Sequence, residues 1–181
     1  MLVLLLLLMG CSGQKYKPDT FSQDDMCIVK TKGKAKVCYG MSRSEVEKVL
    51  GTGKKESTVA GMFTYDFGIR IFYRKNNDGV AGIILDQDSK DVFKTARGIE
   101  IGMPKEDFKK IHGESHALEN KDYITYVFDP KTNEFLDEKY YEQKRDLEEM
   151  ERIYLLSNRF DINGSIDMIS LFDLKMGIYF F

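Results

Sequence analysis

The chain has 181 residues with 27 basic and 29 acidic side chains, a near-neutral balance that is not built to hold nucleic acid. Its 43% apolar and 12% aromatic content excludes a disordered chain. The length suits one sizeable core, or two small units packed together.

Residues Leu2 to Met9 form an uninterrupted apolar run. It is too short to span a bilayer, which takes about 20 apolar residues, and it has no polar face, as a signal-peptide core has none. The run breaks into Leu8-Met9-Gly10-Cys11-Ser12-Gly13, which resembles the bacterial lipobox. That resemblance implies a signal peptide over residues 1–10 and a diacylglycerol thioether on Cys11, with fatty chains such as palmitate. Two or three acyl chains are enough for stable anchoring. The chain is then expected in the cell envelope, tied to a membrane by lipid (the outer membrane if the envelope is Gram-negative), with its domain outside the cytoplasm. Residues 11–25 are polar, carry Pro18 and lack periodicity, so they read as a flexible tether.

With Cys11 assigned to lipid, Cys27 and Cys38 remain as a pair, and an oxidising compartment makes a disulfide the expectation. The alternative is two half-buried thiols. Lys30, Lys32, Lys34 and Lys36 alternate and would line one face of an extended strand. They either guard an edge strand against aggregation or attract anionic headgroups.

A motif then occurs twice. Gly40-Met41-Ser42-Arg43-Ser44-Glu45-Val46-Glu47-Lys48-Val49-Leu50-Gly51 returns without a gap as Gly102-Met103-Pro104-Lys105-Glu106-Asp107-Phe108-Lys109-Lys110-Ile111-His112-Gly113. Thr64-Tyr65-Asp66-Phe67 is echoed by Thr125-Tyr126-Val127-Phe128, and Asp78-Gly79 before Ile83-Ile84 by Asn163-Gly164 before Met168-Ile169. Ser42 and Glu45 make a capping box, Val46, Val49 and Leu50 an apolar stripe, and Gly51 a helix stop. In the copy, Pro104 suits a first turn and Gly113 the stop. After each helix the apolar period falls to two, with a strong hairpin turn at 76–79. The fold class expected is α+β: two tandem units, each a short helix packed on an antiparallel β-meander. The first spans 26–95. The second spans 96–181, with a charged insertion at about 130–152.

Within the insertion Leu136, Tyr140, Leu147, Met150 and Tyr154 suggest one amphipathic helix. Glu134, Glu138, Glu142 and Asp146 would stack like charges along it. It reads either as a solvated face or as a docking element for a basic partner. Tyr65, Phe67, Tyr73, Tyr126 and Phe128 pack a core against the helices or form an exposed face with binding hot spots.

The doubled helix motif followed by an aromatic strand and a hairpin resembles the SmpA/OmlA lipoproteins of outer-membrane assembly. The tandem arrangement resembles the related β-lactamase inhibitory protein. What the resemblance implies is a non-enzymatic, cofactor-free module that binds another envelope protein on an aromatic sheet face, with Tyr65, Phe67, Tyr73, Tyr126 and Phe128 as the contact residues. An inhibitor of an envelope or secreted enzyme and a small-ligand sensor are the alternatives. No phosphate-cradling loop or nucleophile elbow occurs. His112 and His116 would need a continuous helix to share a metal, and Gly113 interrupts it.

Overall fold

The structure, a computed structural model, describes residues 16–76, 78–139 and 144–178. Cys11 and the expected signal peptide lie outside the described residues, as do Tyr140 and Glu142 of the insertion.

Both motif copies are short helices. Helix α1 runs Arg43–Leu50, and its cap is reciprocal: the Ser42 side chain accepts from the Glu45 N–H while the Ser42 N–H donates to Glu45 at 2.8 Å. Helix α2 runs Lys105–His112 with Pro104 in the cap position and no side-chain cap bond. Each ends on a glycine at positive φ with extended ψ, Gly51 at 86° and Gly113 at 93°, a region closed to other residues. Eight residues do not hold a helix in water. Burial does: Val46 and Phe108 are fully enclosed, with Val49 and Ile111 packed beside them.

The chain is α+β, built mostly on antiparallel sheet. A small sheet joins β1 (Cys27–Lys30), β2 (Lys36–Cys38) and β7 (Phe93–Thr95) in the order β2-β1-β7. Among the described residues the main sheet has nine strands. Four follow α1: β3 (Lys54–Lys55), β4 (Met62–Tyr65), β5 (Ile69–Tyr73) and β6 (Val80–Leu85). Five follow α2: β8 (Leu118–Glu119), β9 (Tyr123–Asp129), β10 (Glu134–Leu136), β11 (Tyr154–Phe160) and β12 (Ile166–Asp173). The order is β10-β9-β11-β12-β6-β5-β4-β3, with β8 also on β9. The two central strands, β6 and β12, come from different halves of the chain.

One sheet face packs on α1, α2 and the small sheet, where Ile28, Val46 and Phe108 share a core with Ile71, Leu85, Tyr126 and Leu171. The other face carries a second cluster of Phe72, Val127, Leu155 and Phe172. It is covered by helix α3 (Leu147–Arg152) and helix α4 (Leu174–Ile178), through Met150, Leu174 and Met176.

Three local expectations are corrected. The insertion is not one helix among the described residues: Leu136 ends β10, Asp146 caps a fresh start to α3, and Tyr154 opens β11. The like-charge ladder weakens a continuous helix, and pairing with β9 offers the chain a better partner. The lysines do not share one strand face. Lys32 and Lys34 sit in the turn between β1 and β2, where Gly33 takes φ 124°. Nor is the stretch up to residue 25 free from Tyr16 onward. Arg97 donates to Asp25 at 2.6 and 2.7 Å and to the carbonyls of Lys17 and Thr20. Phe21 stacks on Phe128 at 4.0 Å, and the Asp19 N–H donates to the His112 carbonyl at 2.7 Å. Polar composition hid a strap whose partners are far away in sequence.

His112 lies buried between Phe108 and Tyr126, and burial, helped by Arg97, pushes its pKa down from 6.5 to about 3. Between those values the unfolded chain binds a proton that the folded chain refuses, so stability falls as pH drops through that window. His112→Leu, which installs the residue of the matching position Leu50, should flatten the slope. Denaturant midpoints between about pH 7 and pH 4 measure it: parallel curves for the two proteins would contradict the assignment.

Candidate functional site

The disulfide expected from the sequence is present. Cys27 and Cys38 face each other across β1 and β2, with Cα atoms 4.0 Å apart. The aromatic set is divided. Tyr65, Tyr73, Tyr126 and Phe128 are buried, and Phe67 alone is half exposed. The Tyr65 and Tyr73 hydroxyls share a hydrogen bond at 2.6 Å, and Tyr126 donates to the Gly113 carbonyl at 2.6 Å. Alternation correctly grouped these residues on one face. That face is the one α1 and α2 cover, so the four are core and do not form an exposed binding surface. Phe67 sits in the β4–β5 turn at φ 61°, a conformation a bulky side chain rarely takes.

An open feature among the described residues lies at the β5–β6 hairpin end of the sheet. A groove of about 750 Å³ runs from the edge strand β3 to α4. Ala60, Gly61, Phe63, Tyr73 and Ala81 are among the residues that line it. Arg43, Lys55, Arg74, Lys75 and Lys175 bring positive charge, against Asp78, Glu151 and Asp173.

One wall is tightly built. Asp173 is buried at the end of β12. Its carboxylate accepts from Arg74 Nη2 at 2.6 Å, from the Tyr39 hydroxyl at 2.9 Å and from the Met176 N–H at 2.8 Å. Burial pushes the Asp173 carboxyl up, and the three donors hold it back. The single Tyr39 hydroxyl proton is shared between Asp173 and the Glu151 carbonyl, which lies at 2.8 Å, and the Arg74 guanidinium lies 5.0 Å from the Tyr39 ring centre. Burial, with Asp173 beside it, raises the Tyr39 hydroxyl far above its ordinary range, so it serves as a hydrogen-bonding group. Lys175 pairs with Glu151 at 2.6 Å. The network ties the small sheet, the β5–β6 hairpin, α3 and α4 together at one point. Nothing in local sequence announces it, because Tyr39, Arg74 and Asp173 are separated by whole elements.

At the opposite wall the Arg43 guanidinium lies 4.0 Å from the Phe63 ring centre and pairs with Glu47 at 2.9 Å. Lys55 and Lys75 are exposed and have no ion pair among the described residues. Among the described residues no three His, Cys, Asp or Glu side chains gather as a metal site, and no helix is long and apolar enough to cross a membrane.

Removing one partner of a buried ion pair leaves the other charge uncompensated, at a cost of about 3–5 kcal/mol. Asp173→Ala should therefore destabilise the protein by roughly 3 kcal/mol, while Asp173→Leu with Arg74→Met should cost clearly less. Urea unfolding of the three proteins decides it, and a single variant no worse than the double would contradict the network's role. Compared with protein-family models, curated proteins and solved structures, the chain matches none.

Proposed function

We propose that this chain is a lipid-anchored protein of the cell envelope that works without catalysis, by binding another envelope protein. The observation that carries the reading is the cross-strand Cys27–Cys38 disulfide. It fits an oxidising compartment, which is where an apolar leader cut between Gly10 and Cys11 would send the chain.

We also propose that the domain is a tandem of two copies of one α+β unit. The support is rung-by-rung. Phe63, Ile71 and Ile83 lie abreast across β4-β5-β6, as Ile124, Asn158 and Ile169 do across β9-β11-β12. Thr64, Arg70 and Ile84 correspond in the same way to Thr125, Ser157 and Ser170. Each helix motif is stitched to its hairpin by the same bonds. Gly40 N–H donates to the Val80 carbonyl, Val80 N–H to Met41 and Arg43 N–H to Asp78. Gly102, Ile166 and Lys105 donate likewise to Ile166, Met103 and Gly164. This register aligns Ile83 with Ile169, one residue on from the alignment suggested by sequence. The insertion then replaces the β4–β5 turn with a longer excursion through β10 and α3.

The fold favours a binding module over an inhibitor that lays an open aromatic sheet on an enzyme. The face away from α1 and α2 is covered in part by α3 and α4, and the aromatics of the other face are enclosed.

Anchoring is tested by Cys11→Ser. Intact mass and membrane fractionation should show the native chain cut before Cys11, carrying lipid and held in membranes. The variant should remain an uncut precursor or be released. A variant that matures to the same mass and stays membrane-bound would overturn the anchor.

A further inference from the structure

The two halves treat one equivalent place differently. In the second half, Glu119 on the edge strand β8 takes two of the three lysines of the facing helix: it pairs with Lys105, and with Lys109 at 2.8 Å. Lys105 also lies 5.5 Å from the Phe160 ring centre. The two lysines hold the Glu119 carboxyl below its usual range.

The register fixes what stands there in the first half. Leu118 and Glu119 pair with Thr125 and Ile124, and Lys54 and Lys55 pair with the corresponding Thr64 and Phe63. Lys55 therefore occupies the place of Glu119. Arg43 occupies that of Lys105 and also lies over an aromatic ring. Glu47 stands where Lys109 does and pairs with Arg43 along the helix. Lys55 is left with no carboxylate from its own chain among the described residues. Lys75 is in the same position along the groove, and the groove's acids Asp173 and Glu151 are already engaged by Arg74 and Lys175. Asp78 is the one groove acid outside those pairs.

We propose that the groove beside Arg43, Lys55 and Lys75 binds an acidic, extended segment of a protein partner, one of whose carboxylates takes the place that Glu119 fills in the second half. This rests on the binding-module reading and on the tandem register. The ligand is an acidic peptide for two reasons. A carboxylate is the group the equivalent site accepts. The strand on the groove's rim, β3, is the last in its sheet, and an extended chain can pair with such an edge.

The test uses the full chain in detergent micelles and a fluorescein-labelled peptide of alternating glutamate and serine, with glutamine replacing glutamate in the control. The glutamate peptide should bind, more weakly as salt rises, and the glutamine peptide should not. Lys55→Glu supplies an internal acid as the second half does. It and Lys75→Glu should each weaken binding at least about tenfold, because like charges set against each other are strongly penalised. Melting temperatures should not change. Lys32→Glu, in the β1–β2 turn, should bind as the native chain does. The inference is overturned if no acidic peptide binds, if Lys32→Glu weakens binding as much as Lys55→Glu, or if phosphatidylglycerol vesicles bind at the groove and the peptide does not. A natural partner that still binds Lys55→Glu would sink the groove and leave the binding-module reading standing.

Discussion

The antiparallel pairing of β6 with β12 is the constraint on which the rest depends. It sets Ile84 against Ser170, with Leu85 opposite Ile169 and Ile83 opposite Leu171. Without it each half would be a few strands and an eight-residue helix, too little to bury a stable core, and both β6 and β12 would be open, sticky edges. With it, two small layers become one sheet. The strand β6 is buried along its whole length, and its Val-Ala-Gly-Ile-Ile-Leu sequence is accordingly apolar throughout rather than alternating. Gly82 is required here because a Cβ would lie 2.2 Å from the ring of Phe172. That ring meets Phe72 edge-on at 5.7 Å.

Joining the halves this way leaves the sheet's ends to be closed separately. At the hairpin end of the first half, the buried Asp173 does so by gathering Arg74 and Tyr39. Near the end of α2, the N-terminal strap does so: Arg97 and Asp25, an ion pair with both side chains enclosed, hold it down. Gly113 has no room for a Cβ because Asp19 lies against it. Both closures use charge where a small protein would be expected to use apolar packing. Both are therefore sensitive to loss of one partner.

How much of this was legible in the sequence follows from the range of each signal. Helix caps, glycine stops and hairpin turns act over a few residues, so α1, α2 and the β5–β6 hairpin are legible in the sequence. The disulfide followed from counting cysteines. The aromatic face was read only halfway, because a period of two groups residues on one side of a strand without saying which side the helix will cover. The strap, the small sheet and the Tyr39–Arg74–Asp173 cluster were not legible. Their partners meet across long separations, and polar residues that end up buried look in sequence like any solvated loop. The groove is not legible either, because its lining comes from β3, the β5–β6 hairpin, α3 and α4, which are far apart in the chain.

The proposed function has an anchored, non-catalytic domain hold another envelope protein at the hairpin end of its sheet. Site-specific photo-crosslinking in the native membranes tests it most directly, with the crosslinking residue placed at Asn76 beside the groove or at the fully exposed Ile162 on the β11–β12 turn. A discrete protein adduct is expected from Asn76 and none from Ile162. Adducts from Ile162 alone, or only lipid at Asn76, would contradict it.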